Sequence, residues 1–165
     1  MKPDLSTERR LTPATERKSL KVLGIVPSGR CFGLQNLTLS FFGATPKWLR
    51  PYFLNTRWAD GEFGRRLDAL GISHSSTWLG MFSRRLDLDN LRMTFWCLLK
   101  LPLAWRDFLR LYATFRPDLI YLANHHEAIL LFPLLLPLRR KVVCHMHDPP
   151  PPNVFQKRSF LLFIH

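Results

Sequence analysis

Three apolar runs in the chain each end in residues that can bind a polar ligand. The runs are Leu20–Pro27, Asp118–Ala123 and Val142–Met146. The residues that follow them are, in the same order, Ser28–Gly33, Asn124–Glu127 and His147–Asp148. Two of the runs precede helical patterns, and continuous apolar runs between helices are typical of strands covered on both faces. The sequence therefore predicts a parallel α/β sheet with a ligand cleft at its carboxyl edge.

The spacing of apolar residues along the chain predicts an alternation of strands and helices. The predicted strands are Leu20–Pro27, Pro51–Asn55, a segment starting at Gly71-Ile72, Leu119–Leu122 and Val142–Met146. Four helices are predicted. The first covers Leu34–Phe42, with Leu34, Leu37 and Phe41 on one face, and the second is capped by Asp60 and ended by Gly71. The third is a long helix that begins at Asp89 or Asn90 and breaks at Pro102, and the fourth is a short kinked helix over Ala128–Leu138.

This alternation predicts one Rossmann-like, doubly wound parallel sheet with helices on both faces, because right-handed crossovers link successive strands. The expected strand order is 3-2-1-4-5, which reverses between strands 1 and 4, and ligands bind at such a reversal. The second half of the long helix carries an apolar stripe at alternating intervals of four and three residues. We expect this stripe to face the sheet; it comprises Leu101, Trp105, Phe108, Tyr112 and Phe115.

Length and composition favour a single globular domain. The chain has 165 residues, of which 47% are hydrophobic, too many for a disordered protein. Residues 1–18 lack the apolar core of a signal peptide, so we expect a disordered basic tail followed by a domain over residues 19–165. The three cysteines, Cys31, Cys97 and Cys144, lie far apart without paired spacing. Their distribution favours a reducing cytoplasm.

The net charge of +12 predicts attraction to anionic surfaces. Nucleic acid is an unlikely partner because the basic residues form scattered pairs instead of one tract. An anionic membrane surface suits the chain better, since residues 91–115 mix aromatic and basic side chains, although a solvated face over a core helix would show the same mixture. No apolar run reaches the roughly 18 residues that span a bilayer, so peripheral attachment at the inner membrane face is the expectation.

The loop after the first strand contains two glycines, Gly29 and Gly33, ahead of a helix. Its backbone N–H groups and the helix dipole could receive a phosphate or a sugar hydroxyl, or the glycines could serve only the turn. No Gly-Lys-Ser/Thr follows, so the loop differs from a P-loop.

Histidines cluster at the ends of the last two predicted strands. His147 and Asp148 lie at the expected mouth of the cleft, where a histidine can donate to a ligand or move a proton. His145 shares their strand, and hydrogen bonding within the turn is the expected role for it. His125, His126 and Glu127 lack a fixed coordination spacing, so no metal site is predicted. The cleft-binding candidates are Gly29, Phe32, Gly33, Asn124, His125, His147 and Asp148.

Five short motifs together resemble the N-terminal domain of family 4 glycosyltransferases. They fall in that family's order and spacing over residues 20 to about 158. The motifs are Val26-Pro27-Ser28-Gly29, Phe32-Gly33-Leu34-Gln35, Gly61 to Ile72 with Leu67 and Gly71, Arg116 to Tyr121, and Val142 to Asp148. Phe32 stands where the family has the first glycine of a Gly-Gly pair, Gln35 replaces the usual glutamate, and Ala123-Asn124 occupies the region where many members carry a histidine.

The resemblance implies a GT-B architecture, in which two Rossmann-like domains face each other across a cleft. The first domain binds the acceptor and the second binds the nucleotide sugar, which is transferred with retention and without a required metal. This chain would be the acceptor-side half, and the donor-binding domain with its glutamates would be absent. We therefore expect no tightly bound cofactor, a nucleotide sugar only with a partner half encoded separately, and a glycan or lipid-linked acceptor.

Two other functions stay open. A non-catalytic basic module that binds membranes or nucleic acid would share the composition, and a different small α/β enzyme could use His147 and Asp148. The latter lacks the G-x-S-x-G elbow of α/β-hydrolases. Residues 154–165 are strongly apolar and predict a terminal helix whose surface needs a partner.

Overall fold

The computed structural model describes residues 19–80 and 87–145. Its strands are β1 (Leu20–Val26), β2 (Leu49–Thr56), β3 (Ser73–Thr77), β4 (Leu119–Leu122) and β5 (Val142–Cys144). Its α-helices are α1 (Gly33–Gly43), α2 (Glu62–Ala69), α3 (Leu88–Phe115), α4 (His125–Leu130) and α5 (Phe132–Leu135), and a 3-10 helix covers Leu136–Lys141. The predicted tail over residues 1–18, the candidates His147 and Asp148, and the predicted helix over residues 154–165 lie outside the described residues.

The five strands form one parallel sheet in the order β3-β2-β1-β4-β5, as the sequence predicts. β1 is the central strand, and its Val22 lies opposite Pro51 on one side and Leu119 on the other. The carboxyl ends of β1 and β4 are therefore neighbours, at the reversal of strand order. A ligand cleft is expected at this position in a doubly wound sheet.

Alternate residues of each strand enter two separate apolar cores, because side chains along a strand point to opposite faces. On one face, α1 and α2 pack against the sheet, with a core that includes Val22, Val26, Phe42, Phe53, Phe63 and Leu67. On the other face, α3, α4 and α5 pack against it, with a core that includes Leu23, Ile25, Leu54, Phe108, Ile120, Leu122, Leu131 and Leu135. The sheet is thus covered on both sides, which explains its continuous apolar runs.

The predicted stripe of α3 does face the sheet. Phe108 is fully buried, and the other four members of the stripe pack around the same core. The indole N–H of Trp105 donates to the carbonyl of Leu130 at 2.9 Å, which satisfies the polar atom of a side chain that is otherwise packed among apolar groups.

The predicted break of this helix at Pro102 is wrong. α3 is continuous over all of its 28 residues, Leu88–Phe115, and includes Pro102. The ring of Pro102 lies on the exposed side of the helix, and packing of the helix on both sides of it outweighs the single lost hydrogen bond. The predicted helix over Ala128–Leu138 is also replaced by three short helical segments, because Pro133 and Pro137 each start a new one.

The buried face of α1 differs from the predicted one. Leu37 and Phe41 are exposed, whereas Thr38, Leu39 and Phe42 are buried. The rings of Phe53 and Tyr121 decide the orientation, because Phe42 packs edge-on against them at centroid distances of 5.0 and 5.2 Å. Such aromatic contacts favour one rotation of the helix over another that buries a similar area.

None of the described helices is both long enough and apolar enough to cross a lipid bilayer.

Candidate functional site

A cavity of about 390 Å³ opens at the carboxyl edge of the sheet, beside the end of β1. Four elements supply its walls. They are the loop after β1 with Pro27, Ser28, Gly29, Arg30 and Phe32, the end of β2 and its loop with Thr56, Trp58 and Ala59, the segment after β3 with Gly80, and helix α3 with Met93 and Cys97. We refer to this cavity as the edge cleft.

The loop between β1 and α1 is held by hydrogen bonds to α2 and to α1 itself. The amide of Cys31 donates to Glu62 Oε2 at 3.1 Å, and the amide of Phe32 donates to Gln35 Oε1 at 3.1 Å. The carbonyl of Gly29 accepts from the amide of Phe63 at 3.1 Å. Gln35 thus satisfies a backbone donor that the loop would otherwise offer to a ligand. The sequence predicts that backbone amides of this loop bind an anion. The amides of Cys31 and Phe32 are less suited to that role, because each already donates to a side-chain oxygen.

Gly29 and Gly33 occupy different environments. A β-carbon on Gly29 would clash with the backbone carbonyl of Trp58, so only glycine allows the loops after β1 and β2 to approach this closely. Gly33 starts α1 and has no atom within 4 Å of the place where its β-carbon would be. Packing therefore accounts for Gly29, whereas the open space at Gly33 leaves room for a ligand.

Aromatic rings border the edge cleft on two sides. Phe32, the residue before α1, is 62% exposed. Trp58 packs edge-on against Trp78 and donates its indole N–H to the carbonyl of that residue at 3.3 Å. Apolar ring faces beside hydroxyl and guanidinium groups suit a sugar, which has both apolar C–H faces and hydroxyl groups.

The backbone beside Trp58 adopts a conformation that few side chains tolerate. Ala59 has φ of 73°, in the left-handed region, and Gly61 has φ of 72°. A left-handed alanine costs roughly 1–2 kcal/mol, and such residues cluster at functional sites. Asp60 lies between them and accepts a hydrogen bond from the amide of Glu62 at 3.1 Å, so it caps α2 from one position further upstream than an ordinary N-cap.

Glu127 is fully buried behind the end of β4. Burial holds the pKa of this carboxyl well above its usual value of 4.5, although the backbone amides of Glu127 and Asn124 lower it in part. Within residues 19–80 and 87–145, no group forms a hydrogen bond of ordinary geometry with either carboxyl oxygen. The side chain therefore lies in the protein interior, where burial favours the neutral acid, instead of at the surface of the cleft.

The end of β5 contributes a hydrogen bond between strands. Nδ1 of His145 lies 2.8 Å from the hydroxyl of Tyr121, on the face that carries α1. His145 thus joins β5 to β4, whereas the turn in which the sequence predicted its hydrogen bonding lies outside the described residues. On the opposite face, burial and, to a lesser extent, the nearby carboxyl of Glu127 raise the pKa of Cys144 to about 12.

The structure brings together only some of the predicted candidates. Gly29 and Phe32 line the edge cleft, and Gly33 follows them at the start of α1. Asn124 follows the end of β4 and lies outside the walls of the cleft, and His125 begins α4. In the part of the chain that the structure describes, no group of three or more histidine, cysteine or acidic side chains could hold a metal ion.

Sequence reasoning overlooked several residues of the edge cleft, notably Trp58, Ala59, Met93 and Cys97. Trp58 and Ala59 follow β2 at the same sheet edge, so the rule that carboxyl ends of parallel strands meet would have included them. No pattern in the sequence predicts that Met93 and Cys97 line the cleft. They reach the cleft only because α3 starts beyond the end of the sheet.

Comparisons with protein-family models and with curated proteins found no match to this chain. Solved structures do share its fold. The crystal structure of Anabaena Alr3699/HepE in complex with UDP and glucose matches 87% of this chain with a TM-score of 0.58 and 18% sequence identity. A second structure of that protein with UDP matches 87% of the chain with a TM-score of 0.54 and 20% identity.

The chain spans about a third of the length of these neighbours, 35% and 34% respectively. A similarity at this level of identity demonstrates the α/β fold. The chain is therefore a Rossmann-like α/β domain that shares its fold with part of a protein solved with UDP and glucose.

Proposed function

We propose that this chain is the acceptor-side half of a retaining glycosyltransferase of the family 4 type, with GT-B architecture. A donor-binding half would complete the enzyme. The observation that carries the proposal is the edge cleft, an open cavity with aromatic and hydroxyl groups at the carboxyl edge of the sheet, the edge at which doubly wound sheets bind ligands. Its described walls come from the segments after β1, β2 and β3 and from α3, on the β2 side of the central strand. The fold shared with a protein solved with UDP and glucose supports it.

In this proposal the edge cleft holds the acceptor. Phe32 and Trp58 present apolar ring faces to the sugar. Ser28 and Thr56 also line the cleft, so their hydroxyl groups are close to the polar groups of the sugar. Arg30 adds a positive charge for an acceptor that carries phosphate. The nucleotide sugar would bind to the partner half, so the isolated chain is expected to bind an acceptor but to transfer nothing. We assign no catalytic residue within the described part of the chain.

We also place the protein on the cytoplasmic side of the cell. None of its three cysteines forms a disulfide: Cys97 is buried, and Cys31 and Cys144 are partly buried. Cysteines without disulfides are typical of proteins of a reducing compartment, where the nucleotide-sugar donors proposed here would be available.

Ligand-observed NMR on the complete chain tests the acceptor assignment. A panel of mono- and oligosaccharides, free and phosphate-linked, is compared with UDP and UDP-glucose. We expect saturation transfer to at least one glycan and none to UDP. Phe32→Ala should remove the glycan signal. Phe41→Ala is the matched control, because Phe41 lies on the helix that follows Phe32 and is almost equally exposed, 63% against 62%, but does not line the cleft.

Three results would contradict the proposal. UDP binding without glycan binding would assign the nucleotide to this half instead. Failure of every glycan to bind would remove the acceptor role. Sugar transfer by the purified chain alone would show that no partner half is needed.

A further inference from the structure

Helix α3 is much longer than the sheet it covers. Its 28 residues extend over about 42 Å, whereas the five residues of β3 extend over about 17 Å. The stripe that packs on the sheet starts only at Leu101, and the residues before it reach the edge cleft through Met93 and Cys97. The first three turns of α3 therefore lie at and beyond the carboxyl edge of the sheet.

These first turns have large apolar side chains on the side that faces away from the protein. At 100° per residue, the buried residues Cys97, Ala104 and Phe108 mark the inner direction of α3. Four large apolar residues fall within an arc of about 80° whose centre lies about 20° from the opposite direction. We call them the outer row, and their exposed fractions are 85% for Leu88, 47% for Leu91, 62% for Phe95 and 55% for Leu99.

Such an arrangement is unusual for a helix of a soluble domain, whose outward face is normally polar. Within the described part of the chain the outer row is exposed to solvent, and its members are adjacent at helical spacing instead of scattered singly. An exposed apolar patch of this kind marks an interaction surface.

The charges around the outer row identify its partner. Arg92, Arg106 and Arg110 project within about 40° of the same outward direction. The acidic residues nearest to them on the helix, Asp89 and Asp107, point about 100° away. Arg106 is 72% exposed and approaches Asp107 only at 3.5 Å, so most of its charge faces solvent. Apolar and aromatic side chains flanked by arginines match the interface of an anionic bilayer, where apolar groups enter the acyl boundary and guanidinium groups meet the headgroups.

We propose that the outer row of α3 docks this protein on an anionic lipid bilayer, with the axis of the helix parallel to the membrane plane. The surrounding arginines bind the headgroups, and the net charge of +12 draws the protein to the surface. This surface is independent of the edge cleft in its chemistry, and it requires no sugar.

One consequence rests on the proposed function. Met93 and Cys97 on the inner side of α3 line the edge cleft, so a bilayer docked on the outer row would lie about one helix diameter, 10–12 Å, from it. That distance suits an acceptor whose sugar is attached to a membrane lipid. Vesicle binding is measured without any glycan, so failure of the membrane proposal and failure of the acceptor proposal give different results.

Vesicle flotation with the complete chain tests the docking surface. Vesicles of phosphatidylcholine with about one-third phosphatidylglycerol are compared with vesicles of phosphatidylcholine alone. We expect binding to the anionic vesicles and a partition about ten-fold lower for Phe95→Ser, since one large apolar side chain is removed from the contact. Phe41→Ser is the matched control, because Phe41 has the same exposure on the opposite face of the sheet, and it should bind like the unchanged protein.

The two variants are first compared by circular dichroism and thermal unfolding, and both should fold because both side chains are more than 60% exposed. Equal vesicle binding by Phe95→Ser and Phe41→Ser would overturn the proposal. Binding that depends on charge alone, without any effect of Phe95→Ser, would also overturn it. Absence of vesicle binding, with Phe95→Ser instead disrupting self-association, would assign the outer row to a protein contact and refute the membrane role.

Discussion

The backbone carbonyl of Trp58 occupies the space that a β-carbon on Gly29 would need. Two loops of the edge cleft, one after β1 and one after β2, therefore meet through backbone atoms. The amide of Phe63 also binds the carbonyl of Gly29, so α2 is connected to the same contact. The shape of the cleft thus depends on the absence of one side chain.

Replacement of Gly29 by alanine should destabilise the domain by roughly 1–3 kcal/mol, the usual range for an added group without space. Gly33→Ala is the matched control, because its β-carbon would meet nothing within 4 Å. It should leave stability unchanged or raise it by up to about 1 kcal/mol, since alanine favours helices. Urea unfolding of both variants measures the difference. Equal stability of the two variants would mean that the loops do not approach as described.

The buried carboxyl of Glu127 makes stability depend on pH. Burial raises its pKa in the folded state, so the folded protein holds a proton that the unfolded chain releases above about pH 4.5. Its contribution is fully present below that pH and is lost as the pH rises towards the folded pKa, at up to about 1.4 kcal/mol per pH unit. Glu127→Gln removes this titration, so the variant should gain stability relative to the unchanged protein between pH 5 and pH 8, as thermal unfolding would show.

Glu62→Gln is a suitable comparison for this experiment. Glu62 is partly exposed and pairs with Arg66, so its replacement leaves Glu127 in place. The pH dependence should therefore persist in Glu62→Gln and disappear in Glu127→Gln. A pH dependence that is identical in both variants would assign the titration to another group.

The thiol of Cys144 should react slowly in the folded protein. Its pKa of about 12, raised mainly by burial, leaves roughly a thousandth of the thiolate that a thiol with a pKa of 9.0 would have at pH 8. Iodoacetamide labelling followed by peptide mass spectrometry measures each cysteine separately, and unfolding in urea should restore the rate. Rapid labelling of Cys144 in the native protein would contradict its burial at the end of β5.

Pro102 should lower the free energy of unfolding of the domain, because it lies inside a continuous helix. Pro102→Ala restores a backbone donor and removes a steric clash, and we expect a gain of about 1–2 kcal/mol after the stiffer unfolded chain of the proline form is counted. Leu109→Ala, at an exposed position of the same helix, should change stability by less than about 1 kcal/mol. No gain from Pro102→Ala would favour a helix that breaks at this residue.

Much of the architecture could be predicted from periodicity. The runs that became β1 and β4 are continuous because both faces of the sheet are covered, and the stripe from Leu101 to Phe115 has the spacing of a helix that faces one surface. The rotation of α1 could not be predicted in this way. Two faces of this helix have similar apolar content, and the contacts of Phe42 with Phe53 and Tyr121 determine which of them is buried.

The edge cleft was only partly predictable. Gly29 and Phe32 follow β1 directly, so the order of strands was sufficient to place them at the cleft. Asn124 follows β4 in the same way but is not among the residues that line the cleft. Strand order predicts the edge at which a loop ends, whereas the direction of its side chains depends on packing with other elements.

The sequence by itself determined the class of fold, the strand order and the sheet edge at which the loops after β1 and β4 lie, because hydrophobic periodicity and chain connectivity are local properties with few compatible topologies. Only the tertiary structure decided which side chains meet there and which remain exposed. Met93 and Cys97 enter the cleft, and Phe95 faces outward, because of the direction in which α3 crosses the sheet. That direction results from the summed packing of residues far apart in the chain, which no local pattern records.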